Sequence, residues 1–195
     1  MSGELVVVRH ADTEWSANGR HTSRTDLPLS DVGIERAATL APRLAGRSFA
    51  AGWSSPRRRA LETAELAGFE PRLREDLSEW DYGEYEGLTS AQIRATRPGW
   101  DIWRDGCPGG EDAAAAGRRA DDVLAALPPE GEVLIFSHGH FLRVLTARWL
   151  GLAAGEGALF LLEPTAIGVL GHEHERRVLH AWGLSGAANY DMPTA

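Results

Sequence analysis

Two short unbroken apolar runs constrain this chain most: Leu5-Val6-Val7-Val8 near its start and Val133-Leu134-Ile135-Phe136 in its second half. Neither alternates with polar residues. Each therefore reads as a strand buried on both faces, as in a parallel sheet covered above and below. Segments of helical period lie around them. Ile34, Ala37, Ala38 and Ala41 follow the i, i+3, i+4, i+7 rule, with Ser30 as N-cap and Gly46 as stop. A second helix is predicted over Arg57 to Ala67, after Ser55-Pro56 and before Gly68. A third carries Ala116, Ala120, Val123, Leu124 and Leu127 and ends at Pro128-Pro129, and a fourth, His140 to Leu150, is apolar nearly all round. Two β-rich runs follow, Ala166 to Leu170 and Val178 to Trp182. Strands alternating with helices predict an α/β fold, a three-layer doubly wound arrangement with a mostly parallel central sheet and helices on both faces. The Trp-, Gly- and Pro-rich stretch from Glu79 to Glu111, with one short helix near Thr89 to Thr96, reads as a small inserted cap at about 80–110 within a single domain of 1–195. The last ten residues read as loosely held.

Composition removes several function classes. A net charge of −8 with no basic stripe argues against a nucleic-acid partner. All 20 cationic side chains are Arg, so neither a Lys Schiff base nor a P-loop lysine is available. Cys107 stands alone, which rules out a disulfide framework and a cysteine-based zinc site. No apolar run approaches the ~20 residues of a membrane span, and Met1 to His10 does not read as a signal peptide. A cytoplasmic protein with no membrane partner is the expectation. A homodimer stays open.

Each of the two apolar strands runs straight into histidine: Arg9-His10 after the first, Ser137-His138-Gly139 after the second. Ligands of open α/β sheets bind beyond the carboxyl ends of the strands, so the two imidazoles can meet over one pocket. Two chemistries use such a pair. Histidines can bind a metal, and His138-Gly139-His140 and His172-Glu173-His174 have a fitting spacing. Alternatively, one imidazole is a nucleophile while cations hold an oxyanion. Arg beside the first histidine favours the second, because guanidinium repels a metal but grips phosphate with two parallel hydrogen bonds. Arg57-Arg58-Arg59 supplies further cations at a helix start, where the dipole also favours anions. Three consecutive arginines cannot share one face, so one or two point to solvent or pair with a carboxylate such as Glu62.

The motifs, taken in order, resemble those of the histidine phosphatase superfamily, the phosphoglycerate-mutase-like fold. Val8-Arg9-His10-Ala11-Asp12-Thr13 is similar to its Arg-His-Gly signature, and Ser54-Ser55-Pro56 with Arg59, Ala60, Thr63 and Ala64 to its second motif. The run Leu77 to Gly87, then Gly109-Gly110-Glu111 and Ser137-His138-Gly139, complete the set. Further stretches, Thr13 to Ser16, Trp103 to Cys107 and Ile167 to Leu170, resemble a branch of actinobacterial acid phosphatases and fungal sedoheptulose-bisphosphatase-like enzymes. Three positions depart from the pattern. Ala11 stands where Gly is usual, Ser16 where Asn is usual, and Ser23 where Gly is common.

The resemblance implies a metal-independent phosphatase for small sugar or acid phosphates, with no cofactor and a small phosphorylated metabolite as its partner. His10 is then the nucleophile that becomes phosphohistidine, with Arg9, Arg59 and His138 around the transferred phosphoryl group. Glu79 is the implied proton donor, and an acidic optimum is expected. Thr22, Ser23, Gly139 and Arg143 are candidate substrate contacts, Arg143 because it lies one helical turn past His138. His174 resembles a distal substrate contact. His21, His140, His172 and His180 read as structural or exposed. The alternatives are a cofactor-dependent phosphoglycerate mutase, a metal hydrolase using His138, His140 and carboxylates, and a catalytically silent phospho-ligand binding module. The mutases carry a basic cap insert that this chain lacks.

Overall fold

The computed structural model describes residues 3–185; the last ten residues lie outside the described residues. The elements run β1 (Leu5–Arg9), α1 (Glu14–Ala17), α2 (Asp31–Ala38), α3 (Leu40–Leu44), β2 (Phe49–Ser54), α4 (Arg58–Leu66) and β3 (Arg72–Leu73). After two 3-10 turns come α5 (Ser90–Thr96), α6 (Ile102–Asp105), α7 (Ala113–Ala125), β4 (Glu132–Ser137), α8 (Gly139–Trp149), β5 (Ile167–Glu173) and β6 (Arg176–Leu184). The strands form one six-stranded sheet in the order β3-β2-β4-β1-β5-β6. β3, β2, β4 and β1 are mutually parallel, whereas β5 and β6 are antiparallel additions at one edge.

The unbroken apolar runs occupy the middle of this sheet, and their residues divide between two cores. Leu5, Val7, Val133 and Ile135 face one cluster, shared with Ala116, Ala120 and Val123 of α7 and Phe141 and Leu145 of α8. Val6, Val8, Leu134 and Phe136 face the other, shared with Leu40 and Leu44 of α3 and Ala64 of α4. Val6, Val7 and Val8 are fully buried, and each contributes roughly 1.5–3 kcal/mol of apolar burial. Both faces demand apolar residues, so the alternation of a one-sided strand is absent.

The first helical segment differs from its sequence pattern. Ser30 does cap α2, its hydroxyl accepting from the Gly33 N–H (3.1 Å). The helix breaks at Thr39, and the buried stripe is Gly33, Ala37, Leu40 and Leu44 rather than Ile34, Ala38 and Ala41. Gly33 explains the rotation: a Cβ there would sit 2.1 Å from the Asp12 carbonyl oxygen, so only glycine lets α2 lie against that loop. The second helix starts at Arg58 with no side-chain cap, one residue later than the expected Arg57 and two past Pro56.

The stretch from Glu79 to Glu111 packs over the sheet's carboxyl end. Thr89 and Gln92 form a capping box at α5. Trp80, Trp100 and Ile93 are buried here and join the main core.

Candidate active site

Parallel register builds the centre of the site. Arg9 of β1 lies opposite Ser137 of β4, so the next residues, His10 and His138, emerge side by side. Parallel strands stand about 4.8 Å apart, and the two ring centroids are 5.1 Å apart, edge to face. Ser54 of β2 lies opposite Phe136, which brings Ser55 up on the far side of His138. The Ser55 hydroxyl meets His138 Nε2 at 2.8 Å. That oxygen accepts from the Arg57 N–H (3.3 Å), and its own proton has no other acceptor among the described residues, so it goes to Nε2 and the ring hydrogen of His138 sits on Nδ1.

His10 is held in the same tautomer, by its own backbone. Its Nδ1 lies 2.7 Å from the Ala11 carbonyl, which can only accept, so Nδ1 carries the hydrogen and Nε2 keeps its lone pair. Burial holds the His10 imidazolium well below the usual range, and the Arg59 and Arg9 cations push the same way. Burial likewise depresses His138, helped by Arg59 and His10. Both rings are therefore neutral near neutral pH.

Arg59 is the arginine of the triplet that turns inward. It is fully buried, whereas Arg58 is exposed and pairs with Glu62 (2.6 Å). The Arg59 guanidinium donates to the carbonyls of Thr22 (3.1 Å), Ser23 (3.3 Å) and Thr25 (3.1 Å). Arg9 donates to the Leu162 carbonyl (2.6 Å). Thr63 ties these parts together: its hydroxyl accepts from the Ala11 N–H (3.0 Å) and donates to the Arg59 carbonyl (2.6 Å). After these bonds, Arg9 Nε, Arg59 Nε and His138 Nδ1 remain as buried nitrogens with no partner. An unmet buried donor is costly, and all three belong to neighbours of His10: the Arg59 and Arg9 cations act on its ring and the His138 ring lies 5.1 Å from it.

Glu79 lines the same cleft as Arg9 and His10. Its carboxyl oxygens accept from the Trp80 (2.8 Å), His140 (3.2 Å) and Phe141 (2.8 Å) N–H groups, and so cap α8, whose own N-cap residue, His138, lends no side chain. Arg119 of α7 laces the approach to Glu79, donating to the carbonyls of Asp76 (3.1 Å), Ser78 (2.6 Å) and Glu79 (3.3 Å). The same guanidinium makes a two-pronged pair with Glu111 (3.0 and 2.6 Å).

A cleft of about 210 Å³ opens over this centre, lined by Arg9, His10, Glu79, Thr22, Gly139 and Arg143 among others. Two of the substrate contacts expected from the sequence behave differently. The Ser23 N–H and hydroxyl are both spent on the Glu86 carboxylate (3.0 and 2.6 Å), and Ser23 borders a second cavity behind Glu79 rather than this cleft. His174 sits in the β5–β6 turn beside Glu173, Glu175 and Arg176, lines only that surface depression, and holds φ 55°. Gly139 serves Arg9: a Cβ there would come 3.2 Å from the Arg9 guanidinium carbon. Ala11 has an ordinary backbone, and it packs with Leu29 and Ala37. Ser16 completes the capping box of α1 with Thr13.

Several contributors escaped the sequence reading. Ser55-Pro56 reads as a helix start, and nothing local in the sequence marks Glu86 or Arg119. Thr63 was visible only as part of a motif. His138 and His140 do not share a ligand: the His140 ring turns toward Tyr82, whose hydroxyl lies 2.8 Å from its Nδ1. Among the described residues no three His, Cys, Asp or Glu side chains cluster to hold a metal ion.

Two strand-end histidines, inward arginines and a carboxylate thus gather at the carboxyl end of the parallel strands of a mixed α/β sheet. The family model of the histidine phosphatase superfamily (branch 1) matches residues 5–185, and the chain belongs to that superfamily. An acid phosphatase of Mycobacterium tuberculosis is 44% identical over 189 residues, covering 93% of either chain. A sedoheptulose 1,7-bisphosphatase of Saccharomyces cerevisiae is 34% identical over 187 residues, covering 78% of this chain and 69% of that one. The solved structure of an open-reading-frame product of Mycobacterium tuberculosis superposes with a TM-score of 0.89 at 42% identity, over 95% of this chain and all of that one.

Proposed function

We propose that this protein is a metal-independent phosphatase that hydrolyses small phosphate monoesters through a phosphohistidine at His10. The observation that carries the reading is that Arg9, Arg59 and His138, each with a buried, unpartnered nitrogen, neighbour an imidazole whose Nε2 lone pair is free. The chemistry needs charge offset at three equatorial oxygens and a neutral nucleophile behind phosphorus. His10 Nε2 attacks phosphorus, the bond to the leaving oxygen breaks, and Glu79 gives that oxygen its proton. Water then attacks the phosphohistidine, returns a proton to Glu79, and releases phosphate and free His10. Thr22 and Arg143 border the substrate.

The named acid and sugar phosphatases among the relatives support hydrolysis. Bisphosphoglycerate-dependent phosphoglycerate mutases are relatives too, and they define the second reading. The absence of an Arg-rich cap insert favours water over a sugar acid as acceptor.

Phenyl phosphate hydrolysis, monitored with EDTA and with vanadate, tests the proposal. Activity should survive EDTA and fall with vanadate. His10→Ala should abolish turnover while the chain stays folded, and Arg59→Ala should cost about 10²–10³-fold. Loss in EDTA with recovery on zinc, or an active His10→Ala, overturns it. Isomerisation of phosphoglycerate outrunning phosphate release would install the mutase reading instead.

A further inference from the structure

His21 and His140 line the same cleft as His10. Their rings stack nearly parallel, 15° apart with centroids 6.1 Å apart. Aromatic edges hold each ring: Tyr82 and Trp100 against His21, Trp103 and Trp80 against His140. The Nδ1 of His21 lies 2.8 Å from the Leu88 carbonyl and must donate to it, so its Nε2 offers a lone pair. The Nδ1 of His140 meets the Tyr82 hydroxyl. That phenol has no other acceptor among the described residues and donates its proton there, which leaves the ring hydrogen of His140 on Nε2. Neither Nε2 has a protein partner among the described residues. One rigid acceptor and one rigid donor thus stand side by side within a substrate-sized cleft.

We propose that His21 and His140 form a hydroxyl-reading subsite, which selects phosphate esters of polyhydroxylated alcohols such as sugars and sugar alcohols. The inference rests on the phosphatase reading and names the alcohol that site accepts. A hydroxyl group both donates and accepts, so it satisfies such a pair; a carboxylate only accepts and is repelled by the His21 lone pair. Burial keeps both rings neutral, holding His21 below and His140 well below the usual range, so neither adds a positive charge that would favour an anion over an alcohol. Arg20 and Arg143 share the cleft, and main-chain carbonyls take part of each guanidinium, Gly87 from Arg20 (2.9 Å) and Gly157 (3.0 Å) and Ala158 (2.9 Å) from Arg143, which holds both cations in place. A site that hydrogen-bonds a substrate hydroxyl discriminates strongly against the analogue lacking it, because its own buried groups are then left unpaired.

The test compares kcat/KM for sorbitol 6-phosphate, hexyl phosphate and phenyl phosphate. The first two share chain length and differ in hydroxyl groups. Wild type should prefer sorbitol 6-phosphate over hexyl phosphate by at least about tenfold, the value of one good hydrogen bond. His21→Phe and His140→Phe keep the ring packing and lose the polar edge. Each should lower the sorbitol-to-hexyl and sorbitol-to-phenyl ratios by about tenfold. A wild type indifferent to the hydroxyls overturns the proposal without any variant, as do variants in which all three substrates fall in step. His10→Ala separates the two levels. If it is inactive while the sorbitol preference is missing, only the subsite is wrong; if it stays active, the phosphatase mechanism itself is wrong.

Discussion

Arg119→Met removes a cation that no sequence pattern announced, and the structure sets the size of the effect. The side chain is about four-fifths buried, at 19% exposure, and its partner Glu111 is similarly covered at 18%. Methionine keeps the aliphatic packing near Phe141, over whose ring the guanidinium lies at 4.2 Å. It loses the two-pronged pair with Glu111 and the bonds to three carbonyls. Breaking a fully buried pair costs about 3–5 kcal/mol. Residual solvent at Glu111 reduces that to about 2–4 kcal/mol, or roughly 4–16 °C in Tm for a chain of this size. The carbonyls released belong to Asp76, Ser78 and Glu79, so the carboxyl of Glu79 loses its fixed approach. Loss of a positioned proton donor matters only where the leaving oxygen needs a proton. Hexyl phosphate turnover should therefore fall about tenfold further than that of p-nitrophenyl phosphate, whose leaving group departs as a stable anion. Urea unfolding and steady-state kinetics on the two substrates measure both parts. Equal losses on the two esters, or a stability change below about 1 kcal/mol, would refute the assignment.

Gly139→Ala should separate stability from activity. Alanine improves the first turn of α8 by up to about 1 kcal/mol, yet its methyl presses on Arg9 at 3.2 Å, so kcat/KM should drop at least about tenfold with an unchanged or raised Tm. Ser55→Ala leaves Nε2 of the fully buried His138 unmet; a cost of about 1–3 kcal/mol in chemical denaturation, with a lower kcat, is expected. Stability should also fall as pH drops below about 6.5. His10, His21, His138 and His140 have depressed folded-state values, so the unfolded chain binds more protons in the window beneath the ordinary histidine value. Each contributes a slope of about 1.4 kcal/mol per pH unit until its own folded value is reached. Denaturation midpoints flat from pH 7 to 5 would contradict the buried neutral state.

The strand-end histidines were legible because an unbroken apolar run leaves few options. It must be central, central strands here are parallel, and parallel register sets the residues just past two such strands side by side. Arg59 was legible only through motif register; its neighbour Arg58 has the same charge and differs in pointing to Glu62. The missing parts act at long range. Arg119 reaches Glu79 from 40 positions away in sequence, and no local period encodes that contact. Ser55-Pro56 carries a helix-start signal, but the serine is drawn to His138 and α4 starts without it. Ser23 reads as a free donor until the cap brings Glu86 onto it. That carboxyl stays below the ordinary range although burial opposes it, because hydrogen bonds from Ser23 and Thr25 together outweigh burial. His21 carries no pattern of its own and the His-x-His spacing of His140 points to a metal, so only folding aligns their rings in the cleft.

The central claim is that His10 Nε2 becomes phosphorylated during turnover. Rapid acid-free quench of the enzyme with p-nitrophenyl phosphate, then mass mapping of the peptides, reads this directly. One phosphoryl group is expected, acid-labile and base-stable, on the peptide segment carrying His10 and absent from His10→Ala. A pre-steady-state burst with no adduct at His10, or an adduct on any other residue, would contradict it.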